Sequence, residues 1–136
     1  MGMETRWLDR DERETVVGWM VARRGAEMET AERLLIPEGW TMGAFKEGRL
    51  IAAGAVFPSI PGGLGFLGKV IANPDEPATL TAAAFRPLIQ TMKEALWRTG
   101  CPIAVSAFSE DSLAALAAGE NGSFQRANLV FHIGEG

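Results

Sequence analysis

The sequence predicts one α/β (α+β) domain with a mixed central sheet flanked by helices. Three observations lead there. The chain has 136 residues, 47% of them hydrophobic and 22% charged, the size and balance of one globular domain. Apolar residues recur at spacings of three or four in two separate stretches. Between and after those stretches lie short apolar runs bounded by Gly and Pro, as strands are. Residues 1–136 are therefore read as a single domain.

Thr5 to Leu8 is a short first strand. Asp9 or Asp11 can cap the helix that follows, in which Val16, Val17, Met20 and Val21 share a face and Arg23-Arg24-Gly25 supply a basic last turn and a stop. A second helix runs from Glu27 to Ile36 and ends at Pro37-Glu38-Gly39. Trp40–Phe45 and Leu50–Phe57 are strands joined through Glu47-Gly48, where Gly tolerates positive φ. The run Leu50 to Phe57 is apolar on both faces, as a central strand requires. Pro58 to Gly63 is a loop, and Leu64 to Ala72 a strand in which Gly65 and Gly68 suggest a bulge.

Asn73-Pro74-Asp75-Glu76-Pro77 breaks the chain. Thr79 or Thr81 can cap the next helix, whose Phe85, Leu88, Ile89, Met92 and Leu96 form one apolar face. Pro87 removes a helical hydrogen bond, so the helix either begins nearer Phe85 or is kinked. Thr99-Gly100 ends it. Ile103 to Phe108 is a strand, Ser109 caps a short helix from Glu110 to Ala118, and Phe124 to Ile133 is the last strand.

Composition narrows the function. Lys and Arg number 13 against 17 acidic residues, a net charge of −4, and the basic residues are scattered; no nucleic-acid partner is expected. One cysteine, Cys101, gives neither a disulfide framework nor a cysteine zinc cluster, and the lone His132 cannot build a metal site, so no metal is expected. Cys101 reads as a buried thiol and His132 as a strand residue. No stretch has the length and apolarity of a membrane span or signal peptide, so no membrane partner and a cytoplasmic location are expected. Trp7, Trp19, Trp40 and Trp97 read as core or rim packing; one on an open face would point to a protein contact.

The order strand, two helices, hairpin, strand, helix, strand, helix, strand resembles the GNAT acyltransferase superfamily from about Thr5 to Ile133. The resemblance implies a GNAT-like domain and acetyl-CoA as cofactor. It implies a thioester docked between splayed strands at Gly68–Ala72 and Ile103–Ser106, with backbone N–H groups near Val70 or Ile71 polarising the acyl carbonyl. Glu38 or Glu47 would serve as the base that deprotonates an amine. The coenzyme diphosphate would meet the N-terminus of the long helix, at Ala78, Thr79, Leu80 and Thr81. Glu27, Glu29, Glu32 and Glu38 could line a cleft for a cationic amine.

The sequence departs from the family pattern at that helix start. Asn73 to Thr81 contains no Gly, two prolines lack N–H groups, and Asp75 and Glu76 would repel a diphosphate. Tyr, the family's frequent acid, is absent; Ser109 or Ser112 could only place a water. Only 18 residues follow Ala118, a shortened C-terminal end. In this, and in Phe85-Arg86-Pro87-Leu88-Ile89 and Phe124-Gln125, the chain is similar to short GNAT-like internal virion proteins of tailed phages. Two functions are therefore expected: a GNAT-like structural or binding protein degenerate in coenzyme A binding, located in a virion if phage-encoded, or an active acetyl-CoA-dependent N-acetyltransferase acting on a small amine. Under the first, the partners are copies of the chain, through the edge strand Phe124 to Ile133, or phage particle proteins.

Overall fold

A computed structural model describes residues 2–58, 64–101 and 103–106. The first strand, β1, spans Glu4–Trp7. Helix α1 (Arg10–Arg24) starts at Asp9, not Asp11: the Glu12 N–H donates to Asp9 Oδ1 at 2.8 Å, and the Glu12 carboxylate accepts from the Asp9 N–H at 2.9 Å. This reciprocal cap satisfies two of the helix's orphan donors. Gly25, at φ 103°, stops α1. The second helical segment is a 3-10 turn, Ala26–Met28, leading into helix α2 (Glu29–Leu35).

Strands β2 (Thr41–Lys46) and β3 (Arg49–Pro58) form the expected hairpin, with Glu47 at φ 53° and Gly48 at φ 79° in its turn. Strand β4 (Leu64–Ala72) leads to helix α3 (Ala78–Arg98) and strand β5 (Ile103–Ser106). The sheet order is β1-β2-β3-β4-β5; the first four strands run antiparallel and β5 lies parallel to β4, across the α3 crossover. The sheet is mixed, as expected.

Alternation along the strands creates two cores. Met42, Ala44, Ala52 and Val56 meet Ala84, Leu88, Ile89, Met92 and Leu96 of α3 on one face. Phe45, Ala53 and Ile71 meet Val16, Val17 and Met20 of α1 on the other, with Leu8 and Ile36.

The start of α3 decides between the two alternatives for Pro87 and corrects the expected cap. The helix begins at Ala78, seven residues before Phe85, and its cap is Pro77, with no side-chain cap from Thr79 or Thr81. Pro77 at φ −61° is already set for helix entry. Pro87 therefore lies inside the helix. Its cost of about 3 kcal/mol is outweighed by burying Leu88, Ile89, Met92 and Leu96 at roughly 1.5–3 kcal/mol each. The Ala83 carbonyl, which loses its partner to Pro87, belongs to an exposed residue. The expected loop at 59–63, the cap Ser109, the helix Glu110–Ala118 with Ser112, the strand Phe124–Ile133, His132 and the shortened end all lie outside the described residues.

Candidate functional site

The amides and helix start expected from the sequence lie where β4 parts from β5 and turns into α3. Gly54 pairs with Val70, and Val56 with Leu67, so two residues of β4, Gly68 and Lys69, oppose Ala55 alone. This is the bulge suggested by the glycines, and it sits at Gly68. A Cβ on Gly68 would come within 2.8 Å of the Phe57 ring and 3.0 Å of the Ala55 carbonyl oxygen, so the close approach requires glycine.

Strand β5 pairs with Leu64–Leu67 and no further among the described residues. Ile103–Ser106 thus runs parallel to the first half of β4, and the pairing stops before Gly68–Ala72. Past the bulge β4 keeps β3 on one edge and has no described partner on the other. The Asn73 N–H donates to the Ile51 carbonyl at 2.9 Å. Antiparallel alternation then turns the Ile71 N–H toward β3 and the Val70 and Ala72 N–H groups to the open edge. Of the two amides expected to polarise an acyl carbonyl, Val70 is the one on that edge. Their side chains take opposite faces: Ile71 is buried in the α1 core, and Val70 packs against the α3 core.

The following turn is held by its own groups and by the start of β3. Asn73 Oδ1 accepts from the Asp75 N–H at 2.9 Å, Asn73 Nδ2 donates to the Leu50 carbonyl at 2.9 Å, and the Asn73 carbonyl accepts from the Glu76 N–H at 3.2 Å. The Glu76 side chain is only 10% exposed, and Arg49 grips its carboxylate at 3.2 Å. At the start of α3, the N–H groups of Leu80 and Thr81 both donate to the Pro77 carbonyl, at 3.0 and 3.1 Å. Thr81 is buried, and its hydroxyl donates to the Ala78 carbonyl at 3.1 Å. Of the four residues expected to meet a diphosphate, only Ala78 and Thr79 therefore present first-turn N–H groups without an intrahelical acceptor. Both are exposed.

Glu38 and Glu47 stand at opposite ends of β2, about 20 Å apart at roughly 3.4 Å per residue over Thr41–Lys46. Glu47 is at the hairpin tip; Arg49, beside it, is five residues along β3 from Gly54, the partner of Val70, or about 16 Å. That is too far for proton transfer at the Val70 edge. Glu38 is exposed and lies 3.4 Å from Arg10.

Of the acids of the early helices, Glu12, Glu14 and Glu29 are paired with arginines. Glu14 takes both guanidinium nitrogens of Arg33, at 2.7 and 2.8 Å, which holds its carboxyl below the usual range, and the pairing raises Arg33. Glu29 joins Arg33 at 3.0 Å. Arg13 donates to the carbonyls of Ile36 and Arg33, at 2.6 and 3.1 Å, closing the C-terminal end of α2. This clasp, like Arg49–Glu76, joins residues about 20 or more apart in the chain, and no local pattern announces it. Cys101 is a buried thiol, as expected. Trp7 and Trp40 are each 39% exposed and meet edge to face at 5.8 Å; Trp97 is 68% exposed. Among the described residues there is no cluster able to hold a metal ion, and no helix is long and apolar enough to cross a membrane.

No protein-family model and no curated protein matches the chain in sequence. Solved structures do match in shape. AAC(6')-Iy, in complex with the bisubstrate analogue CoA-S-monomethyl-acetylneamine, aligns at a TM-score of 0.63 with 16% identity over 97% of each chain. The ribosomal-protein-alanine N-acetyltransferase of Brucella melitensis biovar Abortus 2308 aligns at 0.63 with 10% identity, over 98% of this chain and 100% of that one. The aminoglycoside 6'-N-acetyltransferase AAC(6')-Ih of Acinetobacter baumannii aligns at 0.61 with 14% identity over 99% of each. Identities this low speak for architecture alone, and together with the order of the elements they establish that this chain has a GNAT-like fold.

Proposed function

We propose that this chain is a GNAT-fold domain degenerate in coenzyme A binding, working as a structural or binding protein. The observation that carries this reading is the turn into α3. Pro77 has no N–H, Asn73 uses its side chain within the turn, and the near-buried Glu76 carboxylate is tied to Arg49 beside the helix start. A diphosphate placed there would face the exposed Asp75, at a cost of about 1 kcal/mol or more for a close pair, while Glu76 and Arg49 already compensate each other. The residues present do not fit the coenzyme's diphosphate. The partners under this reading are further copies of the chain or proteins of a phage particle; the particle rests on sequence resemblance alone.

A second reading, an active N-acetyltransferase acting on a small amine, is supported by the open β4 edge past the bulge, with the Val70 N–H on it. Neighbours of the same fold, such as AAC(6')-Iy, have been crystallised with coenzyme A or an analogue built on it. Isothermal titration with acetyl-CoA, paired with thermal unfolding, separates the two. The first reading expects no heat and no rise in Tm at millimolar coenzyme; saturable heat with a matching stabilisation overturns it.

A further inference from the structure

We propose that β1 is a self-complementary edge through which two copies of this chain join in an antiparallel, two-fold symmetric pair, with Thr5 of one copy opposite Thr5 of the other. The inference is independent of whether coenzyme A binds.

Among the described residues β1 lies at the edge of the sheet, with β2 on its inner side only. The Leu8 N–H donates to the Thr41 carbonyl at 2.9 Å, and Arg6 and Glu4 follow at two-residue steps opposite Gly43 and Phe45. The even-numbered residues therefore turn their backbone groups toward β2. Met3, Thr5 and Trp7 turn theirs outward. An incoming antiparallel strand must match those three residues, and a two-fold pair must match them with themselves.

Charge selects the register. Centring the pair on Thr5 places Met3 opposite Trp7 and Thr5 opposite Thr5, so all three outward residues find outward partners. Between them Glu4 falls opposite Arg6, twice, at the close non-hydrogen-bonded positions where Cα atoms are about 4.5 Å apart. Sliding two residues one way sets Glu4 against Glu4; sliding the other way sets Arg6 against Arg6. Both slipped registers juxtapose like charges. Glu4 and Arg6 have side chains 73% and 44% exposed and lie 3.7 Å apart within one copy; Arg6 also holds the Glu12 carboxylate and stacks over Phe45, so in the pair it would add the other copy's Glu4 to an acidic cluster it already serves.

The opposite face of the strand is apolar. Met3 packs against the α3 core, and Thr5 reaches Thr91 of α3 at 2.7 Å. Trp7 follows on that face, over a third exposed and braced edge to face by Trp40. In the Thr5-centred pair each Trp7 comes beside Met3 of the other copy, which removes apolar surface from water at both ends of the short ladder. The arrangement is isologous and closed, so it stops at two copies.

Sedimentation velocity on the whole chain tests it. The wild type is expected to show a concentration-dependent dimer that added salt weakens. Glu4→Arg places like charges opposite each other and should weaken the dimer at least tenfold; added salt should then strengthen association, reversing the wild-type trend. Arg6→Glu should do the same from the other sign. An equimolar mixture of the two variants restores opposite charges at both positions and should form a heterodimer. Arg6 also pairs with Glu12 at 2.6 Å, so the folding of Arg6→Glu is checked by circular dichroism. If it fails to fold, the salt trend of Glu4→Arg decides. A wild type monomeric at its highest soluble concentration, or a dimer that Glu4→Arg leaves unchanged, overturns the proposal.

Discussion

Gly68 and Gly18 show how differently one residue type acts at two places. A side chain at Gly68 meets the Phe57 ring and the Ala55 carbonyl, and the carbonyl belongs to a strand that cannot retreat. Gly68→Val should destabilise the fold by about 1–3 kcal/mol through overpacking. Gly18 is exposed in the middle of α1, and a Cβ added there would meet nothing within 4 Å. Gly18→Ala should stabilise by roughly 0.5–1 kcal/mol, the difference in helix propensity. Urea titration reads both, and midpoints moving the same way would contradict this account. Residue-scale chemistry was the least legible from sequence. Glu38 and Glu47 looked alike as candidate bases, yet they occupy opposite ends of β2. The partner of Glu76, Arg49, is 27 residues away and becomes a neighbour only when β3 and β4 pair.

At the scale of elements, local rules worked where one contact decides an end. Asp9 caps α1 because Glu12 answers it three residues on. They leave the start of α3 open, because the penalty at Pro87 is local but the burial that outweighs it is spread along the whole helix. The α1 cap also carries a pH dependence. Arg6 hydrogen-bonds the Glu12 carboxylate and holds it below its ordinary value of 4.5, with help from the Asp9 N–H. A carboxyl lowered in the folded state contributes stability above its unfolded value, and that contribution is lost as pH falls through the folded one. Tm should therefore drop on acidification below about 4.5. Glu12→Gln should lower Tm at pH 7 and flatten the acid limb; an acid limb of unchanged steepness would assign the loss to other carboxylates.

At the scale of the molecule, the order of elements from β1 to β5 and the two apolar faces are readable because period-two and period-3.6 patterns report burial directly. The reach of β5 along β4 is not, since no periodicity encodes where the pairing of two strands distant in the chain stops. The two cores share a floor: Ala52 faces α3 while Ala53, next to it, faces α1. A hole on one side therefore loosens strands that the other side needs. Leu88 is fully buried against β3 on the α3 face. Leu88→Ala should cost about 2–5 kcal/mol. It should do so as a single event, with far-UV ellipticity and tryptophan fluorescence moving together to a lower urea midpoint. Trp19 packs on the α1 side, so a fluorescence transition that stays at the wild-type midpoint while ellipticity falls early would mean that the α1 core stands without the α3 core, and that the sheet does not couple them.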